Sequence, residues 1–379
     1  MSKVGYRLWS FEVKKDNKEL LREFIEEFRR KTWLYLYSQR FSIDLKINKY
    51  TECYVPELSR VLWNNVLAKG NGSIKINPLL RVRIVENGVI VAGGRGGPVV
   101  FDLSKREVRF QRKVIALMPE STTRAIKEDI QRFKLKFIVQ FTEKKIHLIA
   151  FHDYRRPIID SMPFLIITID VNSRHGFTVR GFLFRSSGVS IVARLSLRPC
   201  NHSLRWKEIR KLQHLYDVSG KYEYYKLLKA IHSRIKRLNG EFKKRVVHEL
   251  RKIIRCFNVP TVIIVDVPYD WGLRNTSLQR TLLKAVKAIR NMAYYENCIY
   301  IEKRASGKKC PLCGSWMREY KKTRHTRLYQ CNQCNLIIDR DINTCYRLGL
   351  WVLKCFLKKP ELAKVFREKI KHVKVPDGF

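Results

Sequence analysis

Phe164-Leu165-Ile166-Ile167-Thr168-Ile169-Asp170 decides how the C-terminal half of this 379-residue chain reads. A short run of apolar and β-branched residues with no polar alternation is a strand buried on both faces, and this one ends on a carboxylate. Phe177–Phe184 and Val189–Leu195 follow as strands, joined through Arg185-Ser186-Ser187-Gly188. A basic helical stretch over about 203–256 leads to a second apolar run, Thr261–Val265, which again ends on a carboxylate, Asp266. Leu278, Leu282, Ala285, Ile289 and Met292 then recur at helical spacing over about 277–295. Cys298–Ile301 is a fifth strand, a cysteine-rich module comes next, and a helix begins near Asp341.

Three strands, helix, strand, helix, strand and helix is the order of an RNase H-like α/β domain. Upstream, Tyr6–Val13 reads as a strand. Asp16 with Glu19 then reads as a variant capping box before Leu21, Phe24, Ile25 and Phe28 at helical spacing. A second helix is predicted from Pro56 to Lys69, stopped by Gly70, so residues 17–71 form a small helical insertion. From 72 to 163 the period shifts to two. Leu80–Glu86, Val89–Ala92, Pro98–Leu103, Glu107–Phe110, Lys113–Met118, Lys134–Phe141 and Ile146–Phe151 are short strands, the pattern of a small β-barrel. Gly93-Gly94-Arg95-Gly96-Gly97 lacks the Lys-Ser/Thr and the following helix of a phosphate loop, and reads as a turn.

Charge narrows the partners. The chain carries 77 Lys+Arg against 34 Asp+Glu, a net +43, with a sequence pI near 10.1. Such a surplus is self-repelling unless a polyanion lies on it, so nucleic acid is the expected partner. Residues 221–255 alone hold 12 Lys/Arg and 3 Glu. On this predicted helix Arg234, Lys236, Arg237, Lys243, Lys244 and Arg245 are the candidate nucleic-acid contacts, against the plain alternative of a solvated face. No apolar run has the length of a membrane span, and the start lacks a signal-peptide core. Six single cysteines scattered through the chain point to a reducing compartment, so a cytoplasmic, nucleoid-associated protein is expected.

The other four cysteines form Cys310-Pro-Leu-Cys313 and Cys331-Asn-Gln-Cys334, 17 residues apart. That is the spacing of a four-thiolate zinc site, closed and therefore structural. His325 lies between the pairs, but four cysteines already fill the site. Asp170 and Asp266 stand at the C-terminal ends of buried strands, the edge where α/β sheets bind ligands, and Asp341 opens a helix. Any one of them reads equally as a turn or cap residue. Together on a basic chain they suit hard divalent cations and phosphodiester hydrolysis. HExxH, GxSxG and Walker A patterns are absent.

The stretch Ala305-Ser306-Gly307-Lys308-Lys309-Cys310-Pro311-Leu312-Cys313-Gly314, then Cys331-x-x-Cys334 and Asp339-Arg340-Asp341-Ile342-Asn343, resembles TnpB, the transposon-encoded RNA-guided nuclease family related to type V CRISPR effectors. The match covers roughly 164–350, and the N-terminal half is similar in layout only. The resemblance implies a RuvC nuclease domain over 164–303 and 341–379 with a zinc ribbon inserted at 304–340. It also implies a β-barrel wedge domain over 1–16 and 72–163, carrying a recognition insertion at 17–71. It implies Asp170, Asp266 and Asp341 as catalytic ligands of Mg2+, two ions by analogy, and Cys310, Cys313, Cys331 and Cys334 as zinc ligands. Guide RNA and target DNA are the implied partners, in a prokaryotic host, with a monomer favoured and the oligomeric state open. Three departures stand out: Asp266 where the family has Glu, Asn335 where a glycine usually follows the fourth cysteine, and Thr344-Cys345 for a pair of small residues. Asp266 is one methylene short, and about 1 Å of misplacement costs on the order of 100-fold in rate. Two alternatives therefore stay open beside RNA-guided cleavage: an RNA-guided DNA-binding protein with weak or lost cleavage, and a zinc-ribbon RNA-binding protein without guide function.

Overall fold

The computed structural model describes residues 4–23, 25–26, 79–85, 89–92, 99–110, 113–141, 145–172, 176–199, 203–267, 277–323 and 326–371. The expected helix at 56–69 and the glycine run at 93–97 lie outside them. The chain forms two compact units, Met1–Asp153 and Tyr154–Phe379.

In the first unit, β1 (Val4–Glu12), β2 (Leu79–Val85), β3 (Val89–Ala92), β4 (Val99–Asp102), β5 (Glu107–Phe110), β6 (Lys113–Leu117), β7 (Lys136–Phe141) and β8 (Lys145–Asp153) make one antiparallel sheet. Its order is β1-β8-β7-β2-β3-β4-β5-β6. The period of two is plain in β8, where Ile146, Leu148, Ala150 and His152 are buried between half-buried neighbours. Just past β1, the Lys14 N–H donates to the Ile115 carbonyl at 2.8 Å, so the two outermost strands meet. Residues 18–23 are helical, with Leu21 and Ile25 buried. The pattern did not announce α1 (Glu120–Arg132). Its buried residues are Thr123, Ile126 and Asp129, two of them polar, so no apolar stripe marks the helix. Asp129 is buried because Arg7 Nη1 meets its Oδ2 at 2.6 Å.

In the second unit, β9 (Phe164–Asn172), β10 (Gly176–Arg185), β11 (Gly188–Leu197), β12 (Thr261–Asp266) and β13 (Ile299–Glu302) form a sheet of order β11-β10-β9-β12-β13. β10 runs antiparallel to both β9 and β11, whereas β12 runs parallel to both β9 and β13. This is a mixed α/β fold. Alternation along β9 assigns the two faces. Leu165, Ile167, Ile169 and Val171 face a core that includes α3 (Tyr222–Phe257) and α4 (Ser277–Tyr295). Phe164 and Ile166 face the other core, with α5 (Arg340–Trp351) and α6 (Pro360–Lys371). By the same alternation Thr168 and Asp170 take the α5 face.

The basic stretch is two helices. Gly220, at φ +64°, ends α2 (Ser203–Ser219) with its N–H on the Tyr216 carbonyl, and α3 starts afresh. The first half of α3 packs on α2 through Leu228, Ile235 and Ile209. The second half packs on the sheet through Phe242, Val246, Leu250 and Ile254. The C-terminal helix is likewise divided. A π-helical turn at Val352–Phe356 and Lys358 at φ +55° precede Pro360, which opens α6 as a first-turn proline can. Between β13 and α5, β14 (Met317–Lys322), β15 (Arg327–Cys331) and β16 (Ile337–Asp339) form a separate antiparallel sheet.

Candidate metal centre and active site

The small sheet carries the four thiols. Cys310, Cys313, Cys331 and Cys334 offer sulfurs all within 4.8 Å of one another. Cys310 and Cys334 Sγ are 3.4 Å apart, as are Cys313 and Cys331 Sγ. About 3.8 Å is the edge of a tetrahedron whose bonds are about 2.3 Å long, so the donor set fits one zinc ion. The two knuckles repeat each other. Gly314 N–H donates to the Cys310 carbonyl at 3.0 Å, and Asn335 N–H to the Cys331 carbonyl at 3.1 Å, with φ +85° and +55°. The Asn that replaces glycine thus occupies a left-handed position that asparagine tolerates best among non-glycine residues. Burial pushes the Cys310 thiol up. At Cys313 burial is outweighed by hydrogen bonds involving Ser315, Cys331 and Cys310, which hold the thiol down at about 6.

The carboxylates meet at the other end of the ribbon. β9 and β12 are neighbours, and their register sets Asp266 opposite Asp170. Paired residues of parallel strands point to one face, here the face that α5 covers. Helix α5 lies close against the sheet because small residues face it. Cys345, fully buried, sets its Sγ 3.3 Å from the Thr178 carbonyl of β10, while Gly349 makes room for Phe366 of α6, which a Cβ there would meet at 2.9 Å. Burial pushes the Cys345 thiol up to about 12, so it packs as a neutral group. Asp341 lies in the first turn of α5, where the helix dipole favours negative charge.

Asp170 is buried, 7% exposed. Its Oδ2 accepts from Asn172 Nδ2 at 3.1 Å. Desolvation and the neighbouring Asp341 raise its pKa well above the usual carboxylate range, with a smaller push from Asp266 and relief from Asn172 and Arg340. Burial raises Asp266 to about 6, against the Ala305 N–H on its Oδ2 at 3.3 Å and the charges of Arg304 and Arg340. Asp341 acts on Asp170. Among the described residues the thiols are the sole group of three or more ligating side chains within 4.8 Å of one another, so the three carboxylates form a looser array. Its chemistry, hard oxygens with unneutralised repulsion, nevertheless fits divalent cations such as Mg2+.

Three residues around this array were not read as site residues in the sequence. Asp339 caps α5, its Oδ1 accepting from Asp341 N–H (3.0 Å) and Ile342 N–H (3.2 Å). Asn343, fully buried, donates from Nδ2 to the Gly307 carbonyl (2.9 Å) and the Lys309 carbonyl (3.0 Å). A Cβ on Gly307 would stand 2.7 Å from the Arg340 carbonyl. Only the Asp-x-x-Ile register of an N-cap hinted at the first.

The six basic candidates on α3, Arg234, Lys236, Arg237, Lys243, Lys244 and Arg245, are all exposed. Arg237 pairs with Glu241 at 3.7 Å, and Arg245 Nη2 donates to the Arg198 carbonyl at 2.9 Å. Arg234, Lys236, Lys243 and Lys244 lie beside the buried Ile235, Phe242 and Val246 along the helix.

Residues 288–348 match the Cas12f1-like, TNB domain family. The matched segment runs from within α4 through β13 and the ribbon into α5, and includes all of Ala305–Gly314, Cys331-x-x-Cys334 and Asp339–Asn343. The resemblance to TnpB and its type V relatives stands there. Among solved structures, the chain is similar to a Cas12f1–sgRNA–target DNA complex at TM-score 0.44 and 11% identity, over 89% of this chain and 83% of that one. It is similar to CasPhi-2 (Cas12j) bound to crRNA at TM-score 0.35 and 10% identity, over 73% and 68%. No curated protein matches the sequence. Among the described residues no helix is long and apolar enough to cross a membrane.

Proposed function

We propose that the chain is an RNA-guided DNA endonuclease of the RuvC type. The reading rests above all on the register that sets Asp266 beside Asp170 on the face that Asp341 approaches. The TNB-domain match and the resemblance to TnpB support it. In this reading the β11-β10-β9-β12-β13 sheet is the RNase H-like core, spanning 164–303 and 341–379, with the ribbon at 304–340. The eight-stranded sheet, whose outermost strands meet at Lys14 and Ile115, is the barrel of a wedge domain over 1–16 and 72–163. Residues 17–71 are its recognition insertion.

Asp170, Asp266 and Asp341 would hold Mg2+, whose chemistry is to activate water and to stabilise the leaving oxygen of a phosphodiester. Asn172 orients Asp170 and the Ala305 N–H orients Asp266. Arg234, Lys236, Lys243 and Lys244 offer the salt-dependent phosphate contacts that position a nucleic acid without reading its sequence. Base pairing with the guide does the reading, beside a short flanking motif recognised by the protein. A monomer acting in the cytoplasm or nucleoid of a prokaryote completes the proposal.

The test is to sequence the RNA that co-purifies with the full chain. The ribonucleoprotein is then incubated with Mg2+ and DNA matching the 3′ segment of that RNA. Cleavage that Asp170→Asn abolishes is expected. Absence of any discrete RNA would sink the guided reading in favour of a plain RNA-binding ribbon. One observation favours the second reading, guided binding with weak cleavage: Asp266 is one methylene short and its Oδ2 accepts from the Ala305 N–H at 3.3 Å. Under it, the natural chain binds matched DNA without cutting, and Asp266→Glu gains cleavage of about 100-fold.

A further inference from the structure

Both roots of the zinc ribbon end on the carboxylate array. The entering strand runs through Ala305, whose N–H holds Asp266, and through Gly307 and Lys309, whose carbonyls are held by Asn343 of α5. Gly307 rests so closely on the start of α5 that a Cβ there would also meet Thr344 Oγ1 at 2.8 Å. The leaving strand ends in Asp339. Its Oδ2 accepts from Arg327 N–H of β15 at 3.2 Å while its Oδ1 caps the turn that bears Asp341. One carboxylate thus joins the ribbon to the helix, and one amide joins the helix to the ribbon. The Oδ1 of Asn343 is buried with no hydrogen-bond partner among the described residues. An orphaned acceptor is costly, so it is the amide's donor end that gives this side chain its use.

From these contacts we infer that Asp339 and Asn343 are positioning residues that couple the two metal centres: the zinc-loaded ribbon sets Asp341 and Asp266, and its loss weakens divalent-cation binding at the carboxylates. The inference rests on the reading of those carboxylates as cation ligands. Neither Asp339 nor Asn343 needs to touch the ion. Both act on groups that do, as outer hydrogen-bond partners of metal ligands commonly act, at about 10- to 100-fold in affinity when removed. Coupling of this kind is reciprocal in binding free energy, so a cation at the carboxylates must tighten the binding of zinc by the same factor.

The experiment uses the full-length ribonucleoprotein and Mn2+ as probe. Binding is followed by electron paramagnetic resonance as a difference from the Asp170→Asn/Asp266→Asn double variant, which removes ions held by RNA from the account. Zinc content per chain is measured on every sample. The wild type is expected to bind Mn2+ about tenfold more weakly after zinc is stripped by chelator. Asp339→Ser keeps a capping hydroxyl but no second oxygen for Arg327. It should retain zinc and its melting temperature yet lose Mn2+ affinity by about the same factor. Mn2+ should also lower the fraction of zinc that a chromophoric chelator takes at equilibrium from the wild type, and not from the double variant. Mn2+ affinity within twofold of the loaded wild type, in both the stripped protein and Asp339→Ser, would overturn the coupling and leave the carboxylate site intact. No difference between wild type and the double variant would overturn the carboxylate reading, and the coupling with it.

Discussion

Glu296 and Asp170 are buried carboxylates of the same α/β unit, built on opposite terms. Glu296, at the end of α4, has no exposed side-chain surface and takes Arg251 Nε at 2.7 Å and Arg255 Nη2 at 2.8 Å, both from the long helix α3. Its charge is matched twice over, and the triad fastens α3 to the core. Asp170 is buried beside one amide and two further carboxylates, Asp341 and Asp266, and the charge of Arg340 eases it only in part. Buried like charges are held together only when the fold forces them to be, and a cation supplied from solution is the natural remedy. The comparison separates an acid that serves stability from one that costs stability. A costly acid is where function is to be sought.

The largest effect expected is on activity. Asp170→Asn should abolish cleavage by several orders of magnitude while the metal-free protein melts no lower than wild type, since one buried negative charge is gone; calorimetry beside a cleavage assay checks both halves. Glu296→Ala should do the reverse in kind. Leaving Arg251 and Arg255 without their acid is expected to cost about 3–5 kcal/mol, read by chemical denaturation. An equal loss in Asp170→Asn would erase the contrast.

A smaller effect is expected with pH. The raised pKa of Asp170 and of Asp266, the latter about 6, means that between about pH 4 and 6 the folded site binds protons the unfolded chain does not. Its contribution to stability is therefore greatest at low pH and is lost as pH rises through that window. Thermal scans should show Mg2+ raising the melting temperature by roughly 2–4 °C at pH 7.5 and hardly at all at pH 5. A shift that is equal at both pH values would place the ion elsewhere. The smallest effect concerns the second knuckle. Asn335→Gly should be neutral or slightly stabilising, and Asn335→Val should cost about 1–2 kcal/mol at its positive φ, measured as ribbon protection in hydrogen exchange with zinc bound.

The legibility of the chain follows the range of the interactions. Strands β9 to β13 were visible because apolar runs and turn residues lie next to one another in sequence. The thiol cluster was visible because each knuckle is four residues long and carries two ligands. Helix α1 was not, since it buries Thr123 and Asp129 where a pattern of apolar residues expects hydrocarbon, and the reason for Asp129 is Arg7, far away in the chain. The break at Gly220 went unread because a lone glycine in a helical pattern is ordinary until its φ is known. Asp339 was not read as a site residue. Its role as the cap that also holds Arg327 exists only across two strands and a helix.

By itself the sequence determined the excess of positive charge, the two cysteine pairs and the identity of each residue that ends a buried strand, all properties of local composition and spacing. Only the tertiary structure decided that β9 and β12 lie side by side in a register that opposes Asp170 to Asp266, and that α5, with the small Cys345 against β10, brings Asp341 near Asp170. The physical reason is that hydrogen bonds between strands and packing between layers join residues with no neighbourhood in the chain. No local preference encodes which of them will share a face.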